Sequence, residues 1–178
     1  MAIKGVKVEV EDIDQGAIEI YRRLTGASKA SLTVGIHAEE GSRVYTPKGG
    51  EQGEPITMAE LGEIHEFGLG VPQRSFIAGW FDENESRLRA QTMGMAKKYA
   101  QGTLESLEQG YEQLGNLYVG EIQRRIAEGI DPPLAPSTIQ RKGSSTPLID
   151  TGQLRSSITY QVRGEAEGGG IDGGGGEE

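Results

Sequence analysis

Two places in the chain carry side chains whose type and spacing suit chemistry. His65 and Glu66 are adjacent, and an imidazole beside a carboxylate is a common pair of metal ligands. Asp150-Thr151-Gly152 sets a carboxylate on a glycine turn, an arrangement suited to acid–base work. Neither place is complete by itself. His37 is the only other histidine, and the residues after His65 lack the second imidazole that would put two on one helical face. With no cysteine in the chain, thiolate ligands and disulfides are excluded. A hydrogen-bonded structural role is therefore expected for His65, with no metal and no cofactor. A catalytic aspartate needs a second carboxylate close enough to share one proton, and the Asp-Thr-Gly turn occurs once.

The residues around that turn spell out a structural corner. Asp150 or Thr151 is expected to cap a helical turn through Gln153, Leu154 and Arg155, because a side-chain oxygen there accepts from an unpaired N–H. Gly152 is the flexible residue beside the cap. Ile158, Tyr160 and Val162 then alternate with Thr159, Gln161 and Arg163, the period of a half-buried strand.

Other elements must position this corner. Val6, Val8 and Val10 alternate with Lys7 and Glu9 as a first strand. Asp12 or Asp14 then caps a helix with Ile13, Ala17, Ile20, Tyr21 and Leu24 on one stripe, stopped near Gly26. Leu32, Val34 and Ile36 form a second strand, and both a right-handed crossover and an antiparallel arrangement fit. From Ala38 to Ile56 the periodicity stops. The stretch exceeds the roughly 12–15 residues of an ordinary connection, so residues 38–56 read as a long loop or a β-hairpin arm, with Val44-Tyr45 able to pair.

Thr57 with Glu60 has the spacing of a capping box, opening a helix with Met58, Leu61, Ile64 and Phe67 along one face and Gly68 at its end. Two long helices are expected, at about 76–101 and 103–128. Leu104, Leu107, Tyr111, Leu114, Tyr118, Ile122 and Ile126 mark the second. Burying seven such side chains is worth roughly 10–20 kcal/mol as an upper bound. Gly110, Gly115 and Gly120 each cost about 1 kcal/mol in a helix interior, so packing wins where the stripe is covered. These glycines serve either close approach of a neighbour or bending. Pro136 opens a further turn that Gly143 closes.

Composition limits the function classes. At 178 residues the chain suits one domain, residues 1–163, with a glycine-rich acidic tail at 164–178. That tail holds eight glycines and five acids, too little apolar area to offset its ordering entropy. A net charge of -9 opposes wrapping of a phosphate backbone. Setting the tail aside leaves -4, only mildly acidic. Neither an apolar leader at the N-terminus nor a run near the ~20 residues of a membrane span is present, which predicts a soluble chain. With 35% hydrophobic and 6% aromatic residues the core is lean, so some apolar surface is expected to be completed by neighbouring copies.

Three pieces in order, Ile64-His65-Glu66-Phe67-Gly68, Val71-Pro72-Gln73-Arg74-Ser75-Phe76 and the run Leu134 to Val162, carry a family resemblance. Together they resemble the small neck or tail-completion proteins of long-tailed bacteriophages, also labelled virion morphogenesis or minor tail proteins, over most of residues 31–163. The resemblance implies an α+β fold, with a small antiparallel or mixed sheet on two long helices. It implies a non-enzymatic ring between portal and tail tube or at the tail's head-proximal end, of six copies, with twelve as the alternative. The ring would be assembled in the host cytoplasm and resident in the virion. Its partners would be portal or head-closure and tail-tube or tail-terminator proteins, with genomic DNA passing through unbound and no membrane contact. The residues it marks for assembly are His65, Glu66, Phe67, Gly68, Pro72, Arg74, Phe76, Pro147, Leu148, Asp150, Thr151, Gly152, Leu154, Arg155 and Ile158. Two alternatives remain in view. One is a dimeric aspartic protease built on Asp150, although Gln153-Leu154-Arg155 departs from the small residues of such enzymes. The other is a nucleic-acid-binding virion protein using Arg141, Lys142 and Arg155.

Overall fold

The computed structural model describes residues 16–26, 30–47, 54–143 and 145–164. The expected strand at Val6 to Val10, the caps Asp12 and Asp14, the tip of the arm at 48–53 and the tail beyond Gly164 lie outside them. The elements in order are α1 (Ala17–Gly26), β1 (Ser31–Gly35), α2 (Ala38–Gly41), α3 (Met58–Phe67), α4 (Ala78–Ala100), α5 (Leu107–Glu128), α6 (Pro136–Lys142), α7 (Gln153–Ser156) and β2 (Thr159–Arg163). This is an α+β fold.

The strands pair antiparallel, Ser31 opposite Arg163 and Gly35 opposite Thr159. Both lie on α5, which also packs against α4. A two-stranded ribbon is marginal alone, and α5 supplies the covering it needs. Leu32 and Val34 pack inward against the core while Thr33 stays exposed, as period-two alternation requires. On the outer face His37 joins the strands, its Nε2 3.0 Å from Thr33 Oγ1 and its Nδ1 2.9 Å from Thr159 Oγ1. Strand β1 ends at Gly35, one residue short of the expected Ile36.

The core unites Trp80 from α4, Tyr118, Ile122 and Ile126 from α5, Leu154 from α7, and Phe76, Leu148 and Ile158 from flanking segments. Trp80 meets Phe81 edge-on at 5.0 Å and Tyr118 at a tilt at 5.4 Å. Arg87 with Glu121 and Arg125 with Glu83 tie α4 to α5 at the margin.

Several expectations are corrected. Helix α4 begins at Ala78 rather than near Phe76, and α5 at Leu107 rather than 103, because Ser106 Oγ accepts from Gln109 N and nucleates it there. The arm opens with a helical turn, α2. Its next residues fold back on the chain, Val44 bridging to Thr57 and Tyr45 N donating to Ile56 O at 2.8 Å. Phe67 is 64% exposed instead of closing the α3 face, and Ile20 and Tyr21 of α1 also point outward.

The glycines of α5 divide by environment. A Cβ on Gly110 would come within 2.5 Å of Met95 Sδ, and one on Gly115 within 2.5 Å of the Tyr160 ring, whereas Gly120 faces open space. Close approach thus explains two of the three. The neighbour at Gly115 is the sheet, not a helix.

Candidate functional site

The two segments singled out by sequence, 64–76 and 147–158, meet in space. Between them lies a groove of about 860 Å³, walled by α3, the 71–74 link, residues 132–135 and the turn before α7. His65, Pro72, Arg74, Leu148, Asp150, Thr151, Gly152 and Leu154 line it.

One side of this joint begins with α3. Its capping box forms as the Thr57 and Glu60 spacing demands, Thr57 Oγ1 accepting from Glu60 N at 3.2 Å and Glu60 Oε2 from Thr57 N at 2.8 Å. Gly68 ends the helix at φ 72, and a Cβ there would press within 3.0 Å of the Gln73 backbone, so only glycine fits. The chain then turns back and Arg74 N donates to His65 O at 2.8 Å.

That turn carries Glu66 to the start of α4. Its carboxylate accepts from Phe76 N at 2.9 Å, Ile77 N at 3.1 Å, Ala78 N at 2.9 Å and the Ser75 hydroxyl at 2.6 Å. The first turn of α4 has no acid of its own, and Glu66, only 8% exposed, supplies the negative charge from another helix. Ser75 caps from further out, its Oγ accepting from Gly79 N at 2.8 Å.

Arg74, 4% exposed, is committed to carbonyls. Its Nε and Nη2 donate to Pro132 O at 3.0 and 2.7 Å, and its Nη1 to Pro72 O at 3.3 Å. It fastens the 71–74 link to the turn after α5. Phe76, fully buried, anchors the far end.

On the other side, Pro147 is buried and Leu148 sits in the core at φ 63, a left-handed conformation costly for a branched side chain and held by its packing. Asp150 is not the cap of α7. Gly152 at φ 80 holds the N-cap position without a side-chain bond, and of the two expected residues it is Thr151 whose Oγ1 accepts from Gln153 N, at 3.4 Å. Asp150 instead accepts a hydrogen bond from the Tyr45 hydroxyl. Gln153 reinforces the contact, its Nε2 donating to Thr46 O at 2.9 Å and its Oε1 accepting from Thr46 N at 3.3 Å. Leu154 and Ile158 enter the core, and Ser157, fully buried, donates to Leu154 O at 2.7 Å.

The corner therefore clamps the arm, and the carboxylate was drawn away from the cap by a phenol 105 residues distant. Tyr45 is pushed well above the usual tyrosine value by its partial burial first, then by the bond to Asp150 and by that carboxylate's charge. The phenol stays protonated when folded, so the clamp's stabilisation is complete below about pH 10 and is lost as pH rises further. Wild-type stability should fall more steeply between about pH 10 and 12 than that of Tyr45→Phe, followed by denaturant titration. Equal slopes would dismiss the coupling.

The remaining candidates lie elsewhere. Phe67 and Arg155 are exposed and do not line the groove, and the Arg141 and Lys142 side chains lie outside the described residues. Sequence reasoning passed over Gln153 as an arm contact, the part of Pro132 as acceptor for Arg74, and the partnership of Tyr45. An isolated aromatic in a polar loop was the available signal for Tyr45.

Chemically the groove is lined mostly by proline and aliphatic side chains. Asp150 is the only carboxylate among its described lining, so one chain by itself holds no proton-sharing pair there. Among the described residues no group of three or more histidines and carboxylates is positioned for a metal, and no helix is long and apolar enough to cross a membrane. Comparison with protein families, characterised proteins and solved structures found no match to this chain.

Proposed function

We propose that the chain is a structural ring subunit of a tailed-phage virion, joining head or portal to tail or completing the head-proximal end of the tail. The observation that carries this reading is the use made of the motif residues. Glu66, Arg74, Leu148 and Asp150 are spent on holding α3, α4, the turn after α5 and the arm together. Side chains tied up in this way build a rigid connector rather than a reacting centre.

Surface chemistry supports the same reading. Val44 at 56%, Phe67 at 64% and Leu69 at 57% exposure offer apolar contact on the arm and just beyond α3, which suits lateral neighbours in a closed ring. The net charge of -9 suits a lumen that DNA crosses without adhering, because no counterion release rewards binding.

Sedimentation velocity and negative-stain microscopy of the full chain test the reading. Closed rings of six copies are expected, with twelve as the other closed form. Phe67→Asp combined with Leu69→Asp should yield folded monomer. Monomer alone, even when mixed with the portal and tail-tube proteins of the same virion, would refute the proposal. Proteolysis abolished by Asp150→Asn would also refute it, in favour of an enzyme.

A further inference from the structure

We propose that the groove between α3 and α7 is a socket for the end of α3 from a second copy of this chain, with Phe67 of the incoming copy as the plug. The proposal rests on the ring reading above and names the surface that receives each neighbour. Helix α3 presents two different sides. Leu61 and His65 line the groove, whereas Phe67, at about 100° per residue, lies about 160° around the helix from His65 and about 120° from Leu61. Phe67 is 64% exposed, and Leu69 on the turn that follows is 57% exposed. The plug points away from the groove of its own chain, so another copy must supply the one that fills it.

The groove suits that occupant in size and chemistry. Its volume of about 860 Å³ falls within the roughly 300–1,000 Å³ of natural binding sites, and proline and aliphatic side chains make up most of its lining. The two charged groups in that lining are already engaged, Arg74 with carbonyls and Asp150 with the Tyr45 hydroxyl. An aromatic anchor seated in an apolar pocket is the usual centre of a protein interface. Charge then sets the register. Glu63 stands one turn before Phe67 on the same side of α3, and Arg155 stands on α7 beside Leu154, which lines the groove. Both are exposed, and neither forms an ion pair among the described residues. Seating Phe67 in the next copy brings Glu63 to the rim that carries Arg155, where opposite charges meet. Because plug and socket lie on different sides of one helix, the contact is head-to-tail, and its repetition closes into a ring.

Phe67 exchanged for the photo-reactive p-benzoylphenylalanine keeps an aromatic plug and reads the contact directly. Irradiation of the full chain should join it to residues 132–135 or 148–154 of another chain, identified by mass spectrometry after digestion. Cross-links elsewhere, within one chain only, or none at all overturn the socket. Charge reversal gives an independent reading. Glu63→Arg and Arg155→Glu should each weaken assembly by more than about tenfold in sedimentation, with circular dichroism unchanged. An equimolar mixture of the two variants should restore it, because each plug then meets an opposite charge on the other variant. A mixture that stays dissociated overturns the proposal, and a restored dimer with no larger closed form assigns a two-fold contact and overturns the head-to-tail one. If the unaltered chain forms rings while these tests fail, the socket falls and the ring reading stands. If the unaltered chain stays monomeric beside its portal and tail-tube proteins, both fall.

Discussion

Glu66→Gln is expected to destabilise the fold by about 3–5 kcal/mol, close to the effect of Glu66→Ala. The carboxylate accepts from three backbone N–H groups and one hydroxyl at the buried start of α4. A glutamine is nearly isosteric but brings an NH2 group to a position surrounded by donors, so part of the set loses its acceptor and the opposed N–H groups are left buried. It also removes the negative charge that the helix terminus favours, a term of up to about 2 kcal/mol when partly buried. Neighbouring Glu63 is exposed, and Glu63→Gln should shift stability by less than about 0.5 kcal/mol. Urea titration of the three variants measures the differences. A loss below about 1 kcal/mol for Glu66→Gln would mean that water replaces the carboxylate and that the joint is not what holds α3 to α4.

The second large effect lies in α5, where the same substitution should change sign along one helix. Gly115→Ala places a methyl group within 2.5 Å of the Tyr160 ring and 3.1 Å of Leu32 Cδ1. Tyr160 has little room to yield, because its strand is paired to β1 and its hydroxyl accepts from Asn116 Nδ2 at 3.0 Å. The sheet must lift from α5, at a cost of about 2–3 kcal/mol even after the gain in helix propensity. Gly120→Ala meets nothing within 4 Å and should stabilise by about 0.5–1 kcal/mol. Gly110→Ala falls between them, since Met95 Sδ and Leu104 Cδ2 belong to flexible side chains able to move aside. Thermal unfolding of the three variants gives the order. A neutral or stabilising Gly115→Ala would show that the sheet does not rest on the α5 backbone at this point.

Local pattern in the sequence was sufficient for some of these features. The Leu104, Leu107, Tyr111, Leu114, Tyr118, Ile122 and Ile126 spacing marked α5; Leu104 falls before its first turn, and four of the other six reach the core cluster or pack directly against it. Thr57 with Glu60, Gly68, and Pro136 with Gly143 marked helix ends that form as spelled. Ile20, Tyr21 and Phe67 failed in a consistent way. Their spacing identified an apolar stripe, but each remains exposed because periodicity says which residues share a face and not what covers it. Asp150 failed for a related reason. A cap is a contact between near neighbours, and the phenol of Tyr45 competed successfully from 105 residues away.

By itself, then, the sequence determined the types of the described elements apart from α2, several of their ends, and the absence of thiolate chemistry, because those depend on residues within four positions of one another or on composition alone. The tertiary structure alone decided the partners: Glu66 for the start of α4, Pro132 for Arg74, Tyr45 for Asp150, and the Tyr160 ring over Gly115. Each of these joins groups distant along the chain, and which distant groups meet is set by how whole elements pack, a free energy spread over many side chains and carried by no single spacing.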